Sequence, residues 1–261
     1  MSADLITIQA TGGLGPIRVM VPRGRQTITP ASRMAVAAVG ENAHLLHGRG
    51  IDWGSGTGLL TIAAAKVAAV EHVIGLEVDA ADVPVARSNA ARNGVSDRTT
   101  FIYADSYRAN DPNEQHLIDA MRGVADFLIA NPPASRTGDG LDWRRAALRD
   151  GAGILVAGAP VLVQISYQYA RARIERLAEE VAGYTYEGVA GSTGWVPFDQ
   201  ARTDLSTQLI EYASVEAAGG IPFTFSDGAG GDITATEALE RYRTTGESPL
   251  SKWQMHLYRK V

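Results

Sequence analysis

Asp52, Gly54, Gly56 and Gly58 stand at alternate positions in Gly50-Ile51-Asp52-Trp53-Gly54-Ser55-Gly56-Thr57-Gly58-Leu59-Leu60-Thr61, closing a short apolar run and opening a helical one. Glycine lacks a Cβ, so such a turn can take positive φ and let a ligand reach contact distance. The free N–H groups and positive dipole end of the helix then suit a carboxylate or a phosphate. Two features narrow the choice. A dinucleotide fingerprint requires G-x-G-x-x-G, and here Leu59 occupies the place of its third glycine. A carboxylate at Asp52 would repel a pyrophosphate but accepts hydrogen bonds from an ammonium group. A ligand carrying both an α-amino and an α-carboxylate group fits.

Val73-Ile74-Gly75-Leu76-Glu77-Val78-Asp79 is a second apolar run ending in acid. A carboxylate about twenty residues past a glycine turn commonly accepts two ribose hydroxyls. Distance from the following helix assigns that role to Glu77, with Asp79 a solvated strand-end acid. Thr99 to Ser106 reads as a third strand ending in Asp105, and Val124 to Ala130 as a fourth running into Asn131-Pro132-Pro133-Ala134. Pro132 restricts Asn131 to extended conformations and the two prolines stiffen the loop, so the amide is aimed before a substrate arrives. The Asn131 side-chain oxygen and the Pro132 carbonyl can both accept hydrogen bonds from a substrate N–H₂. That pulls a planar nitrogen toward tetrahedral geometry and exposes its lone pair to an electrophile. In-line transfer then needs mainly alignment, a proximity effect of several kcal/mol.

The pattern Asp52-x-Gly54-x-Gly56-x-Gly58 after a strand resembles motif I of the class I S-adenosylmethionine-dependent methyltransferases. Asn131-Pro132-Pro133 resembles the N-P-P-(Y/F) motif of members acting on planar amino or amide nitrogens: adenine and guanine N-methyltransferases and release-factor glutamine N5-methyltransferases. The resemblance implies S-adenosyl-L-methionine as cofactor, held by Asp52, Gly54, Gly56, Gly58, Glu77, Val78, Asp105, Ser106 and Asn131, with Asp105 at the adenine amino group. It makes Asn131 and Pro132 the catalytic pair. Ala134 departs from the motif, because alanine cannot stack on a planar substrate; Trp143, Tyr167 and Trp195 are candidates to replace the aromatic. Arg18 to Arg25, Thr29-Pro30-Ala31-Ser32-Arg33, Gly138 to Arg145 and Leu162 to Ser166 extend the likeness to the glutamine methyltransferases. Arg23, Arg25 and Thr27 can line an entrance. Those enzymes carry an N-terminal helical domain that docks the release factor, whereas a short segment precedes motif I here, which weakens the release-factor reading.

The elements that must position these residues alternate: strand 50–53, helix 58–69, strand 73–78, helix 81–93, strand 99–104, helix 113–123, strand 125–130, helix 141–152, strand 159–166, helix 168–183. This implies an α/β fold, a doubly wound, Rossmann-like class I methyltransferase sheet, mostly parallel, with ligands at the carboxyl ends of strands. Tyr184 to Glu187 is a candidate sixth strand and Ser206 to Ser214 a candidate seventh, expected antiparallel. Ile221 to Ile233 reads as a loop or hairpin, Thr234 to Thr245 as a helix, and Lys252 to Arg259 as a final strand. Thr29 is an N-cap before Pro30. The expected organisation is an N-terminal segment (1–45) on the cofactor side, a methyltransferase core (46–216) and a C-terminal elaboration (217–261) serving as a lid, a dimer contact or decoration.

A chain of 261 residues with 45% apolar content has ample core for one such domain. A net charge of −5 argues against a broadly basic phosphate-binding face. Arg136, Arg144, Arg145 and Arg149 form a local basic cluster, read as a solvated face with Asp142 and Asp150. With no cysteine there is no disulfide framework, thiolate nucleophile or thiolate metal site, and the five histidines show no zinc spacing. No apolar run reaches membrane-span length and no leader precedes Asp4, so a cytoplasmic protein is expected. The expected reaction is methylation of a planar nitrogen of a small molecule or protein side chain. The alternatives are an RNA or DNA base N-methyltransferase, disfavoured by charge, and a non-catalytic cofactor-binding regulatory protein; a nucleotide-dependent oxidoreductase is disfavoured by Leu59 and Asp52.

Overall fold

The structure is a computed structural model that describes residues 3–23, 28–135 and 138–261. In chain order the elements are β1 (Ala3–Ile8), β2 (Ile17–Pro22), α1 (Pro30–Glu41), β3 (Gly48–Trp53), α2 (Leu59–Ala65), β4 (Val70–Glu77), α3 (Asp82–Arg92), β5 (Thr99–Asp105), β6 (Arg108–Ala109), α4 (Gln115–Asp119), β7 (Phe127–Ala130), α5 (Asp142–Gly151), β8 (Pro160–Gln164), α6 (Arg171–Val181) and β9 (Tyr184–Ser192). There follow β10 (Val196–Pro197), α7 (Thr203–Ala217), β11 (Phe225–Ser226), β12 (Asp232–Ile233), α8 (Ala235–Thr245), β13 (Leu250–Ser251) and β14 (Gln254–Lys260).

Eight strands form the central sheet in the order β6-β5-β4-β3-β7-β8-β14-β9. The run β5-β4-β3-β7-β8 is parallel, and β14 lies antiparallel between β8 and β9. Parallel strands covered on both faces need apolar residues at every position, and period-2 alternation sorts them. Ile51, Trp53, Leu128, Val161 and Val163 face one core cluster, while Phe127, Ile129 and Leu162 face the other, shared with α1 and α2. The chain leaves β3 toward β4 and β5, then returns to β7 on the opposite side, so the order reverses between β3 and β7. A crevice opens at the carboxyl ends of strands at such a reversal. Asp52 near the end of β3 and Asn131 just past the end of β7 flank it, with Glu77 at the end of the neighbouring β4.

The antiparallel strand expected at Ser206 to Ser214 is instead β14, the expected segment lying inside helix α7, and the short edge strand β6 also runs antiparallel, to β5. Leu205, Leu209 and Tyr212 are the buried residues of that segment, at helical spacing. The helix expected over 113–123 contracts to α4 between Pro112 and Gly123. The Ile221–Ile233 stretch forms the β11–β12 hairpin. The elaboration is an insertion between β9 and β14 and not a tail. It comprises α7, α8 and a four-stranded sheet of order β10-β13-β11-β12, after which the chain re-enters the central sheet in β14.

The β1–β2 hairpin docks on α3 through Asn89, which is fully buried. The Asn89 amide oxygen accepts from Met20 N (2.7 Å), and Nδ2 donates to the carbonyls of Met20 (3.1 Å) and Thr57 (2.9 Å). One side chain thus ties the hairpin to the glycine turn. The Thr29 hydroxyl caps α1 by accepting from Ser32 N at 3.1 Å. Among the described residues no helix is long and apolar enough to cross a membrane.

Candidate active site

Gly54, Gly56 and Gly58 all take positive φ (75°, 53° and 88°), the conformation the alternating glycines require. A Cβ on Gly58 would lie 3.0 Å from the Phe101 ring and 3.1 Å from Ala86, so this glycine lets the turn pack against α3 and β5. A Cβ on Gly54 or Gly56 would meet nothing within 4 Å, leaving their backbone open to a ligand.

Asp52 is 1% exposed. Its Oδ2 accepts from the Thr61 hydroxyl at 2.6 Å, while Oδ1 is buried without a partner. Burial pushes its pKa up to about 7, opposed by the Thr61 hydrogen bonds. Glu77, at the end of β4, is 7% exposed. It accepts from Gly56 N (2.6 Å) and Asp79 N (2.7 Å), so it braces the glycine turn, and burial raises its pKa against those two bonds. Asp79 is exposed and accepts from Ala81 N. Val78 is exposed beside Glu77, and Asp105 is exposed at the end of β5. Ser106 holds a positive φ of 53°, uncommon for a side chain with a Cβ, and its hydroxyl accepts from Trp53 Nε1 at 2.9 Å.

A cavity of about 230 Å³ lies beside the Asn131-Pro132-Pro133 loop. Asn131 lines it and donates from Nδ2 to Ser32 Oγ (3.3 Å), which sits 3.0 Å from the Thr29 hydroxyl. Its side-chain oxygen remains as an acceptor. Gln164, Ser166 and Gln168 at the exit of β8, and Leu205, Gln208 and Tyr212 on one face of α7, form facing walls. The inserted layer therefore builds one wall of this pocket.

Sequence reasoning missed the most connected residue here. Arg144 is 2% exposed and does not belong to a solvated face. Its guanidinium donates to the carbonyls of Pro132 (2.9 Å), Pro133 (2.9 Å) and Gln164 (2.9 Å) and to Gln164 Oε1 (3.1 Å). The Pro132 carbonyl expected to serve an acceptor nitrogen already receives one of these bonds and keeps a second lone pair. Burial lowers the Arg144 pKa. Arg145 does pair with acids (Asp139, Asp142 and Glu180), and Asp150 accepts from Ser106 at 3.4 Å. Arg136 lies outside the described residues.

The aromatic candidates are also corrected. Trp143 is exposed on α5, while Tyr167 and Trp195 pack edge-on at 4.9 Å with Lys252 over the Trp195 ring; none of the three lines the cavity. Trp253, Tyr169 and Tyr212 do. The hydroxyls of Tyr169 and Tyr212 are 3.0 Å apart, and Tyr212 stacks on Phe223 at 4.0 Å. Arg23 is exposed and paired with Asp4; Arg25 and Thr27 lie outside the described residues.

The family model of the ribosomal protein L11 methyltransferases matches residues 30–135, from α1 through the Asn131-Pro132-Pro133 loop. A ribosomal protein L11 methyltransferase of Tolumonas auensis is 36% identical over 121 residues, 46% of this chain and 38% of that protein. A release factor glutamine methyltransferase of Chlorobaculum tepidum is 36% identical over 83 residues, 32% of this chain and 26% of that protein. The matches thus span well under half the length of these curated relatives. The 16S rRNA N2 G1207 methyltransferase of T. thermophilus, solved with AdoMet and guanosine, shares the fold with a TM-score of 0.56 at 22% identity, over 72% of this chain and 47% of that one.

Proposed function

We propose that this protein, whose core is that of a class I S-adenosylmethionine-dependent methyltransferase, methylates a planar nitrogen of a protein side chain or small molecule by direct in-line transfer. The observation that carries the reading is the placement of Asn131, a pre-aimed amide on the wall of a half-open pocket, one strand away from the glycine turn. The residues present fit the cofactor. Asp52 offers a buried oxygen without a partner to the neighbourhood of an ammonium group, Gly54 and Gly56 leave room for close approach, and Glu77 retains lone pairs for ribose hydroxyls beyond the two N–H groups it already accepts. Val78, Asp105 and Ser106 would border its adenosine end.

S-adenosylmethionine, when bound, supplies an electrophilic methyl group on a sulfonium. Asn131 and Pro132 accept the two N–H bonds of the acceptor and turn its lone pair toward that methyl. Ser32 and Thr29 hold the Asn131 amide nitrogen so that its oxygen is the end presented. The nitrogen that receives that methyl would then lose one proton to solvent. Alignment accounts for the rate in this scheme.

The relatives named above act on a ribosomal protein, a release factor and a ribosomal RNA guanine, so a nucleobase amine is the second reading, favoured by the aromatic rings of Trp253, Tyr169 and Tyr212 at the cavity. The test is transfer of radiolabelled methyl from S-adenosylmethionine into cell extract fractionated into protein, RNA, DNA and small molecules. Label in protein or metabolites that disappears with Asn131→Ala, while S-adenosylhomocysteine affinity changes little, is the expected result. Asn131-dependent label in RNA selects the second reading, and Asn131-independent label removes Asn131 from the mechanism.

A further inference from the structure

Arg144 borders the acceptor cavity, yet every described partner of its guanidinium is a neutral oxygen, from Pro132, Pro133, Gln164 and, at 3.5 Å, Gly140. Arginine stays protonated in proteins, and the nearby Asp139 carboxylate is engaged by Arg145 instead; a buried charge so placed is strongly felt by its surroundings. Among the described residues lining the cavity the one carboxylate is Asp204, and Arg202 engages it at 2.7 Å. Among the described residues the pocket therefore holds a buried cation with no carboxylate bonded to it and no unpaired carboxylate.

From this we propose that Arg144 is a specificity-determining residue: it makes the pocket admit neutral nitrogens and reject protonated amines. The inference rests on the methyl-transfer reading of the same site. An acceptor nitrogen held by the Pro132 carbonyl shares that oxygen with Arg144 Nη2, already 2.9 Å away. Two cations on one carbonyl oxygen lie no more than about 6 Å apart. At an effective dielectric near 20 their repulsion corresponds to about a hundredfold weaker binding of an ammonium than of its neutral isostere. An alkylammonium must also shed a proton before it can attack, and Asp204 is occupied. A carboxamide or aromatic amine has no such requirement.

The test uses S-adenosylhomocysteine-bound protein and three small probes followed by ligand-observed NMR titration: propionamide, propylamine, which is protonated at pH 7.5, and 2,2,2-trifluoroethylamine, which is neutral there. The expected result is comparable binding of propionamide and trifluoroethylamine, with propylamine weaker by tenfold or more and most of that gap lost in Arg144→Met. Because that substitution also strips hydrogen bonds from the loop, a second measurement uses the unaltered protein. Between pH 7.5 and 9.5 propylamine binding should rise with its neutral fraction while propionamide binding stays level. The groups facing Arg144 keep their charge across that window: Tyr169, Tyr212 and Tyr258 are pushed up by burial, Asp139 is held low by Arg145, and His256 is neutral. Equal binding of propylamine and propionamide at pH 7.5, or a pH-independent propylamine affinity, overturns the proposal. An unchanged gap in folded Arg144→Met does the same. Loss of the methyl-transfer reading has a different signature, failure of S-adenosylhomocysteine to bind before any probe is added.

Discussion

Replacing Asp52 by asparagine is expected to stabilise the ligand-free protein at neutral and alkaline pH while weakening its hold on the cofactor. The carboxyl is 1% exposed, takes a side-chain hydrogen bond from Thr61 and leaves Oδ1 bare, and burial raises its pKa from 3.8 to about 7. A folded-state pKa raised above the unfolded value favours folding below about pH 4, and that contribution is lost as pH climbs through 7. At about 1.4 kcal/mol per pH unit, the loss between pH 5 and pH 8 is about 3 kcal/mol. Asparagine has nothing to lose, so its stability advantage over aspartate should widen by that amount, a melting shift of roughly 5–10 °C for a domain of this size. Urea unfolding of both proteins at pH 5, 6, 7 and 8 and constant ionic strength reads the difference directly. Taking the difference cancels other titrating groups. Calorimetry at pH 8 should show S-adenosylhomocysteine binding weakened in the variant. Parallel stability curves from pH 5 to 8 would refute the reasoning, since they would mean the carboxyl ionises as if hydrated.

Glu77→Gln replaces one of the two oxygens held by the N–H groups of Gly56 and Asp79 with a donor, so S-adenosylhomocysteine affinity, measured by calorimetry, should fall about tenfold or more. Gly58→Ala forces a Cβ into an αL position 3.0 Å from Phe101 and should cost about 2–3 kcal/mol in thermal or urea unfolding. His256 is 1% exposed between Tyr186 OH (3.0 Å) and the Ile165 carbonyl (2.9 Å), and burial holds its pKa at about 4. A depressed histidine destabilises the fold as pH drops from 6.5 toward 4, so His256→Gln should remove about 2–3 kcal/mol of that acid dependence in urea titrations.

The residues whose place at strand ends was legible in the sequence are those whose signals are local. Asp52, the three glycines, Glu77 and the Asn131-Pro132 pair each sit where an apolar run meets a turn, so a few neighbouring residues suffice to place them at strand ends. Arg144 was hidden because its neighbours Asp142, Arg145 and Asp150 give its helix a polar look; its burial depends on the Pro132 loop and β8 arriving from elsewhere in the chain. Ser206 to Ser214 can be read at period two, but Leu205, Leu209 and Tyr212 select the helix once the Tyr169 and Phe223 rings pack against Tyr212. Trp253 and Tyr169 came to the cavity in place of Trp143 and Trp195 for the same reason: side-chain direction at the pocket is set by the inserted layer, whose docking leaves no short-range mark.

The position of β14 between β8 and β9 also orders the birth of the protein. During synthesis β8 and β9 emerge with the slot between them empty, and the strand that fills it follows the whole inserted layer. The half from β3 to β7 can assemble early, whereas α7, which lines the cavity, is enclosed in the fold only when β14 pairs with β8 and β9. A nascent chain can thus gain its glycine turn well before the cavity beside Asn131 has both of its walls.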